Sequence, residues 1–218
     1  MHKKEYISYN PFFILPFVAW MLAGGFLLKT YPKQQLFTSI NTRSSDIADV
    51  IMYYVTIMGQ AEIIIPMLLL LMVVPAFRNW WYFVTAALCN LVPFFIQHFI
   101  KSWLNFPRPM LVIQDKTLIH ALPSWPVLLH TSFPSGHSEG AFSFFCFLSL
   151  LLPRGYRWFG LLFFLLALSV CYSRIYLAAH FFEDVYVGSI IGAIMTIVVY
   201  SIMFSVKKYF FKHKEAVS

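Results

Sequence analysis

The sequence predicts an all-α integral membrane protein: a helical bundle of about six transmembrane helices plus a short interfacial helix. Three observations lead there. The chain is 60% hydrophobic and only 11% charged, with a mean hydropathy of +0.71, whereas soluble domains carry roughly 25% charged residues. Its 218 residues cannot hide that much apolar surface in a water-soluble core. The apolar residues also recur in runs near the ~20 residues that a helix needs to cross a bilayer.

The elements follow in order. Residues 1–10 are polar and basic, and no small-residue cleavage site follows the first apolar run, so no removed signal peptide is expected. The first span runs from Pro11 to Leu28; proline is tolerated in a first helical turn. Residues 29–46 read as a polar loop. Ile47 to Ala76 is too long for one span, at roughly 45 Å against a ~30 Å hydrocarbon core. A break at Gly59-Gln60 divides it. Ile47–Met58, with Asp46 and Asp49 on one side, is expected to lie on the membrane surface, and Ala61–Phe77 to form the second span. Glu62 then falls near the membrane surface, where a carboxylate costs less than in the core.

Arg78-Asn79 is a turn, and Trp80, Trp81 and Tyr82 form an interfacial aromatic belt. The third span reaches about Ile100, with Pro93 inside it. Lys101–Ser135 is the longest polar segment. The fourth span is about Ser138–Leu152, residues 152–157 are a tight basic turn, and the fifth span is about Trp158–Ser173. Residues 174–184 connect it to the sixth span, about Val185–Val206. Lys207, Lys208, Lys212 and Lys214 close the chain, which is read as one domain over residues 1–218 with a core at about 60–206.

The net charge of +7 belongs mostly to loops, not to nucleic-acid binding. Six spans put both termini on one side, together with Lys3, Lys4, Arg78, Arg154, Arg157 and the C-terminal lysines. The opposite side holds Lys29, Lys33, Arg43, Lys101, Arg108, Lys116 and Arg174. The positive-inside rule therefore places the termini in the cytoplasm. Cys89, Cys146 and Cys171 lie inside apolar runs and offer neither a disulfide framework nor a metal-ligand spacing. The spacings of His120, His130 and His137 match no common ligand pattern. His98 and Tyr172, Tyr176, Trp103 and Trp125 read as packing or interfacial residues, with the shaping of a lipid entry as the alternative for the last two.

Three segments carry chemistry, all on the predicted outer side: Lys101-SWLNFP-Arg108-Pro109, Pro134-Ser135-Gly136-His137, and Ser173-Arg174-IYLAA-His180-FFE-Asp184. Two arginines and a lysine suit a phosphate-like dianion. Ser135 and Gly136 precede a helix, so their backbone N–H groups can also face an anion. His180 and Asp184 are four apart. Asp184 can hold one ring nitrogen and leave the other to attack. His137 fits the acid that protonates a leaving alkoxide.

These segments resemble the type 2 phosphatidic acid phosphatase superfamily. Its pattern is a Lys, six residues and Arg-Pro; a Pro-Ser-Gly-His; and a Ser-Arg, five residues, a His, three residues and an Asp. Every fixed position is matched in order and spacing. The resemblance implies a metal-independent membrane phosphatase without a cofactor. In it His180 is the nucleophile that forms a phosphohistidine, Asp184 orients it and His137 protonates the leaving group. Lys101, Arg108, Ser135, Gly136 and Arg174 bind the phosphoryl oxygens. The expected substrate is a lipid phosphate in the bilayer: a polyprenyl diphosphate, phosphatidate, phosphatidylglycerol phosphate or a glycolipid of the lipid A type. The alternatives are a phosphatase or phosphotransferase for soluble esters on the same core, and a non-enzymatic transporter or scaffold, against which the complete residue set argues. The short chain, basic turns and many phenylalanines point to a bacterial inner membrane, with the site on the extracytoplasmic side and no nucleic acid or obligate protein partner.

Overall fold

Nine α-helices make up the described part of the chain, and the computed structural model describes residue 7, residues 9–122 and residues 126–217, with side chains as far as Tyr209. Lys3, Lys4 and Trp125, and the side chains of Lys212 and Lys214, lie outside the described residues. The helices are α1 (Pro11–Thr30), α2 (Lys33–Asn41), α3 (Asp46–Ile57), α4 (Ala61–Leu71), α5 (Trp80–Leu104), α6 (Pro109–Val112), α7 (Gly136–Leu151), α8 (Phe159–Tyr176) and α9 (Phe182–Val217). Among the described residues there is no strand.

Local chemistry sets most of the helix starts. Asn10, Ser45, Asn79 and Ser135 each accept a hydrogen bond from a first-turn backbone N–H, satisfying donors that a helix cannot satisfy internally. Asp46 and Asp49 add favourable charge at the start of α3. Asn105 ends α5 in the left-handed conformation, at φ 46°, a region asparagine tolerates better than most residues.

Four stretches are long and apolar enough to cross a membrane: α1, Trp80–Val112, α8 and Phe182–Tyr209. The bent pair α3–α4, with an angle of 55° between its halves, makes a fifth if it counts as one span. The chain is an integral membrane protein. The centre of the bundle is α7, packed by α5, α8 and α9. Ala141, Phe142, Phe144, Cys146 and Phe147 along it are buried. Gly188 and Gly192, one helical turn apart on α9, let that helix approach α7 backbone to backbone. A Cβ at Gly188 would stand 2.5 Å from the carbonyl oxygen of Ser135, and one at Gly192 2.3 Å from that of Glu139. Such small-residue contacts are a common way for helices to pack inside a bilayer, where apolar burial alone gives no preference for a neighbouring helix over lipid.

Several expectations are corrected. Residues 29–46 are not all loop: α2 forms within them because Leu36, Phe37 and Ile40 share one face, and Leu36 and Phe37 are buried. The segment expected on the membrane surface does form a helix of its own, α3, which packs along α8 and exposes an apolar outer face of Ile47, Val50, Ile51 and Tyr54. The second span is not a straight helix over Ala61–Phe77. At 11 residues, α4 measures roughly 16 Å, too short to cross a ~30 Å hydrocarbon core by itself. The third span continues through Lys101 to Leu104, so Lys101 sits on a helix. The connector expected over 174–184 shrinks to residues 177–181, since Arg174 lies in the last turn of α8, which ends at Tyr176, and Asp184 lies in the first turn of α9. Tyr176 is no interfacial residue. It is 1% exposed, and its hydroxyl donates to Asp49 Oδ1 at 2.5 Å.

Candidate active site

One end of the bundle gathers the residues that the motifs singled out. The last turn of α5 carries Lys101, and Arg108 caps α6. The start of α7 supplies Ser135, Gly136 and His137. The last turn of α8 holds Arg174, the turn between α8 and α9 holds His180, and α9 begins with Asp184 within its first turn. The long segment after α5 folds back on itself: Arg108 N–H donates to Leu129 O at 2.8 Å and Ser132 N–H to Phe106 O at 2.8 Å. This pairing carries Arg108 and Ser132 over the turn that bears His180.

His180 is 1% exposed and addressed from both ring nitrogens. Nδ1 lies 3.3 Å from Asp184 Oδ2. That oxygen also accepts from Ser132 Oγ at 2.5 Å and from the Phe181 N–H at 2.9 Å, so the carboxylate cannot swing away. An acceptor fixed on Nδ1 assigns the ring proton there and leaves the Nε2 lone pair facing outward. Nη1 of Arg108 stands 3.4 Å from that Nε2. Burial first, then the charges of Arg108, Arg174 and Lys101, hold His180 well below the ordinary histidine range. The imidazole is therefore neutral at neutral pH, the state a nucleophile requires.

The cations are themselves anchored. Arg108 donates through Nε to His130 O at 2.9 Å, through Nη1 to Ala179 O at 2.8 Å and through Nη2 to Thr131 O at 3.2 Å. Arg174, 2% exposed, donates through Nη1 to Thr56 Oγ1 at 2.8 Å. Lys101 and His137 both line a cavity of about 860 Å³ between α4 and α5, floored by α7. The buried Nε2 of His137 has no hydrogen-bond partner among the described residues.

The cavity runs from this charged end into an apolar stretch bounded by Ile64, Leu68, Ala86 and Phe94. Charge at one end and an apolar slot at the other fit an amphiphile with an anionic head.

Of the eight residues expected to act, the structure links Arg108, His180 and Asp184 in direct contact, sets Lys101, Gly136 and His137 around the adjoining cavity, and anchors Arg174 on Thr56. Ser135 stands apart from the expectation. Its N–H donates to Asp184 O at 3.0 Å and its hydroxyl caps α7, so its backbone donor is engaged inside the protein. The N–H groups of Gly136 and His137, in the first turn of α7, are ones that an α-helix leaves without internal acceptors.

Sequence reading missed Ser132, Thr56 and Gln97. The last donates from Nε2 to Pro134 O at 2.7 Å and so braces the segment leading into α7. None of the three carries a local signal. His98 stacks on Phe94 and also lines the cavity. His120, set aside as a metal ligand, bonds Asp49 through Nε2 at 2.8 Å. Among the described residues no three His, Cys, Asp or Glu side chains converge as a metal site would require.

Known proteins match this chain in sequence and in fold. The family model of the PAP2 superfamily matches residues 78–208. A curated relative, "Lipid phosphate phosphatase gamma" from Arabidopsis thaliana, is 34% identical over 110 residues, which are 46% of this chain and 44% of the relative; the match thus spans less than half of that protein. Among solved structures, LpxE from Aquifex aeolicus superposes with a TM-score of 0.65 at 25% identity, covering 79% of this chain and 97% of that one. The PAP2-type phosphatidylglycerolphosphate phosphatase from Bacillus subtilis superposes with a TM-score of 0.64 at 19% identity, covering 92% and 98%.

Proposed function

The chain belongs to the PAP2 superfamily, and from that premise we propose that it hydrolyses the phosphate of a lipid held in the bilayer, with His180 as nucleophile. One observation carries the reading: the buried His180 has Nδ1 tied to Asp184 and Nε2 turned towards Arg108, beside a cavity that leads from Lys101 and His137 into an apolar slot.

In the proposed reaction the lipid's chains occupy the slot and its phosphate sits among Arg108, Arg174, Lys101 and the N–H groups that open α7. Nε2 of His180 forms a bond to phosphorus as the bond to the lipid oxygen breaks, and His137, held neutral in the free protein by burial and the neighbouring cations and protonated once the phosphate dianion offsets them, gives that oxygen its proton. The lipid alcohol leaves and a phosphohistidine remains. His137, now neutral, takes a proton from water. The resulting oxygen attacks phosphorus, the N–P bond breaks, and inorganic phosphate and neutral His180 are released. Positioning and charge complementarity supply most of the rate, as is usual for phosphoryl transfer. The reaction draws on no metal or other cofactor.

The positive-inside count supports termini in the cytoplasm and a site on the opposite face of a bacterial inner membrane. Residues 1–218 are read as one domain, and the nature of the site calls for no protein partner.

The test is phosphate release in detergent, with a chelator present, from phosphatidate, phosphatidylglycerol phosphate, a polyprenyl diphosphate, a lipid A-type glycolipid and soluble esters. Turnover of at least one lipid, abolished in His180→Ala, is expected. Activity confined to soluble esters would overturn the lipid reading, and full activity in His180→Ala would remove the nucleophile. A cysteine placed in the 106–135 segment and labelled only from the cytoplasm would reverse the orientation.

A further inference from the structure

The turn that bears His180 is held on three sides, and the third has no place in the reaction above. From within, Arg108 bonds Ala179 O. From α9, Asp184 accepts the Phe181 N–H. From outside, α2 closes over it. Lys33 pairs with Glu183, and its ammonium lies over the ring of Phe181, 4.0 Å from the centroid. Phe37 meets the same ring edge-on at 5.6 Å. At the far end of α2 the buried Asn41 donates to Tyr176 O at 2.7 Å and to His120 O at 2.8 Å. Residue 181 is thus gripped between a cation and an aromatic ring, next to His180 in the chain.

We propose that α2 is a clamp that positions the nucleophile: Lys33, joined to Glu183 and seated on Phe181, holds the His180 turn against Arg108 and Asp184. This rests on the phosphatase reading only for its effect on rate. The turn is short, and Ala178 within it has a positive φ of 54°, a conformation unfavourable for a residue with a side chain. Such a backbone persists when its surroundings over-determine it, and α2 supplies the part that neither Arg108 nor Asp184 reaches. Lys33 and Glu183 are positioning residues here, acting on the substrate only through His180. A cation over an aromatic face and an ion pair sharing one ammonium form a coupled unit, so both halves are expected to fail together.

The experiment uses the full chain in detergent and compares Lys33→Met, Glu183→Gln, their combination and Lys33→Arg. Amide hydrogen exchange of residues 177–184 is read on each, together with kcat and KM on a lipid phosphate that the wild type turns over. The clamp requires faster exchange in that segment in both single variants, by about tenfold, since local protection reports local opening. It also requires kcat lower by about tenfold with KM unchanged, as a ~1 Å displacement of a reacting group can cost a hundredfold. The combined variant should be no worse than either single one, and Lys33→Arg should recover most of the loss.

Unchanged exchange in residues 177–184 overturns the proposal whatever the activity does. A raised KM with kcat intact in Lys33→Met, not copied by Glu183→Gln, also overturns it and makes Lys33 a gatherer of substrate. If the wild type turns over no phosphate ester, the phosphatase reading has failed and the exchange measurement alone decides the clamp. Should Lys33→Met not fold, Glu183→Gln, which keeps the size and shape of the side chain, takes its place.

Discussion

Arg108 Nη1 stands 3.4 Å from Nε2 of His180 while the same nitrogen donates to Ala179 O at 2.8 Å. One guanidinium therefore fixes the backbone of the His180 turn and faces the ring nitrogen that is to attack. A lysine would keep the charge and lose the planar fork that reaches several carbonyls at once. Arg108→Lys is expected to lower kcat/KM for a lipid phosphate by about a hundredfold, the scale seen when one preorganised charge-stabilising donor is removed, with Arg108→Ala lower still. Steady-state phosphate release reads this, and a loss below threefold in Arg108→Lys would separate the arginine from the chemistry.

The same charges set the pH response. Burial, Arg108, Arg174 and Lys101 depress the His180 pKa well below its ordinary 6.5. The active form is neutral, so a depressed pKa carries activity to lower pH, and the acid limb due to His180 should have its midpoint below 6.5. Stability follows the same sign. Above 6.5 the imidazole is neutral whether the chain is folded or unfolded, and it contributes no pH dependence. Below 6.5 the unfolded chain takes up a proton that the folded chain refuses, so stability falls as pH falls. His180→Asn should flatten that part of the pH dependence between pH 7 and 5 in thermal unfolding. An unchanged slope would contradict a neutral buried ring.

Thr56 is wholly buried and bonds Arg174 Nη1 at 2.8 Å from the end of α3. Thr56→Val keeps the shape and removes the acceptor, leaving a buried charge with one partner fewer, a change that costs about 1–3 kcal/mol. About a tenfold fall in kcat/KM is expected with expression retained, and Thr56→Ser should restore most of it. Equal effects of valine and serine would make Thr56 a packing residue only.

How much of this was legible in the sequence depends on where the information resides. Lys101, Arg108, His137, Arg174, His180 and Asp184 are rare charged or titratable groups set into an apolar chain, and their spacing within three short segments survives translation into structure. Thr56 and Ser132 are small polar residues among many, made important by partners 118 and 52 positions away in the chain; no local pattern encodes such contacts. The helix α2 was hidden because its flanks are polar and its apolar face is narrow, so loop composition outweighed the pairing of Leu36 and Phe37. Ser135 misled for the opposite reason. Its place before a helix predicts an outward N–H, and only the packing of α9 shows that Asp184 O already takes it.

The apolar half of the cavity distinguishes a lipid phosphatase from one that takes any ester. Ala87 lines it on α5, opposite Leu68 on α4. Both belong to the part remote from Lys101, since Ala87 lies 14 residues before it, which is roughly 21 Å along a helix. A tryptophan at Ala87 fills the slot where lipid chains are proposed to lie without touching the charged end. For a long-chain lipid phosphate, Ala87→Trp should raise KM about tenfold, the loss of a few buried methylenes at ~0.8 kcal/mol each. Turnover of a small soluble aryl phosphate, if the wild type shows any, should be unchanged, because that ester reaches only the phosphate end. Paired measurements on the two substrates separate the cases: equal losses on both would mean that the substitution distorts α5, and no loss on either would place the lipid chains outside the slot.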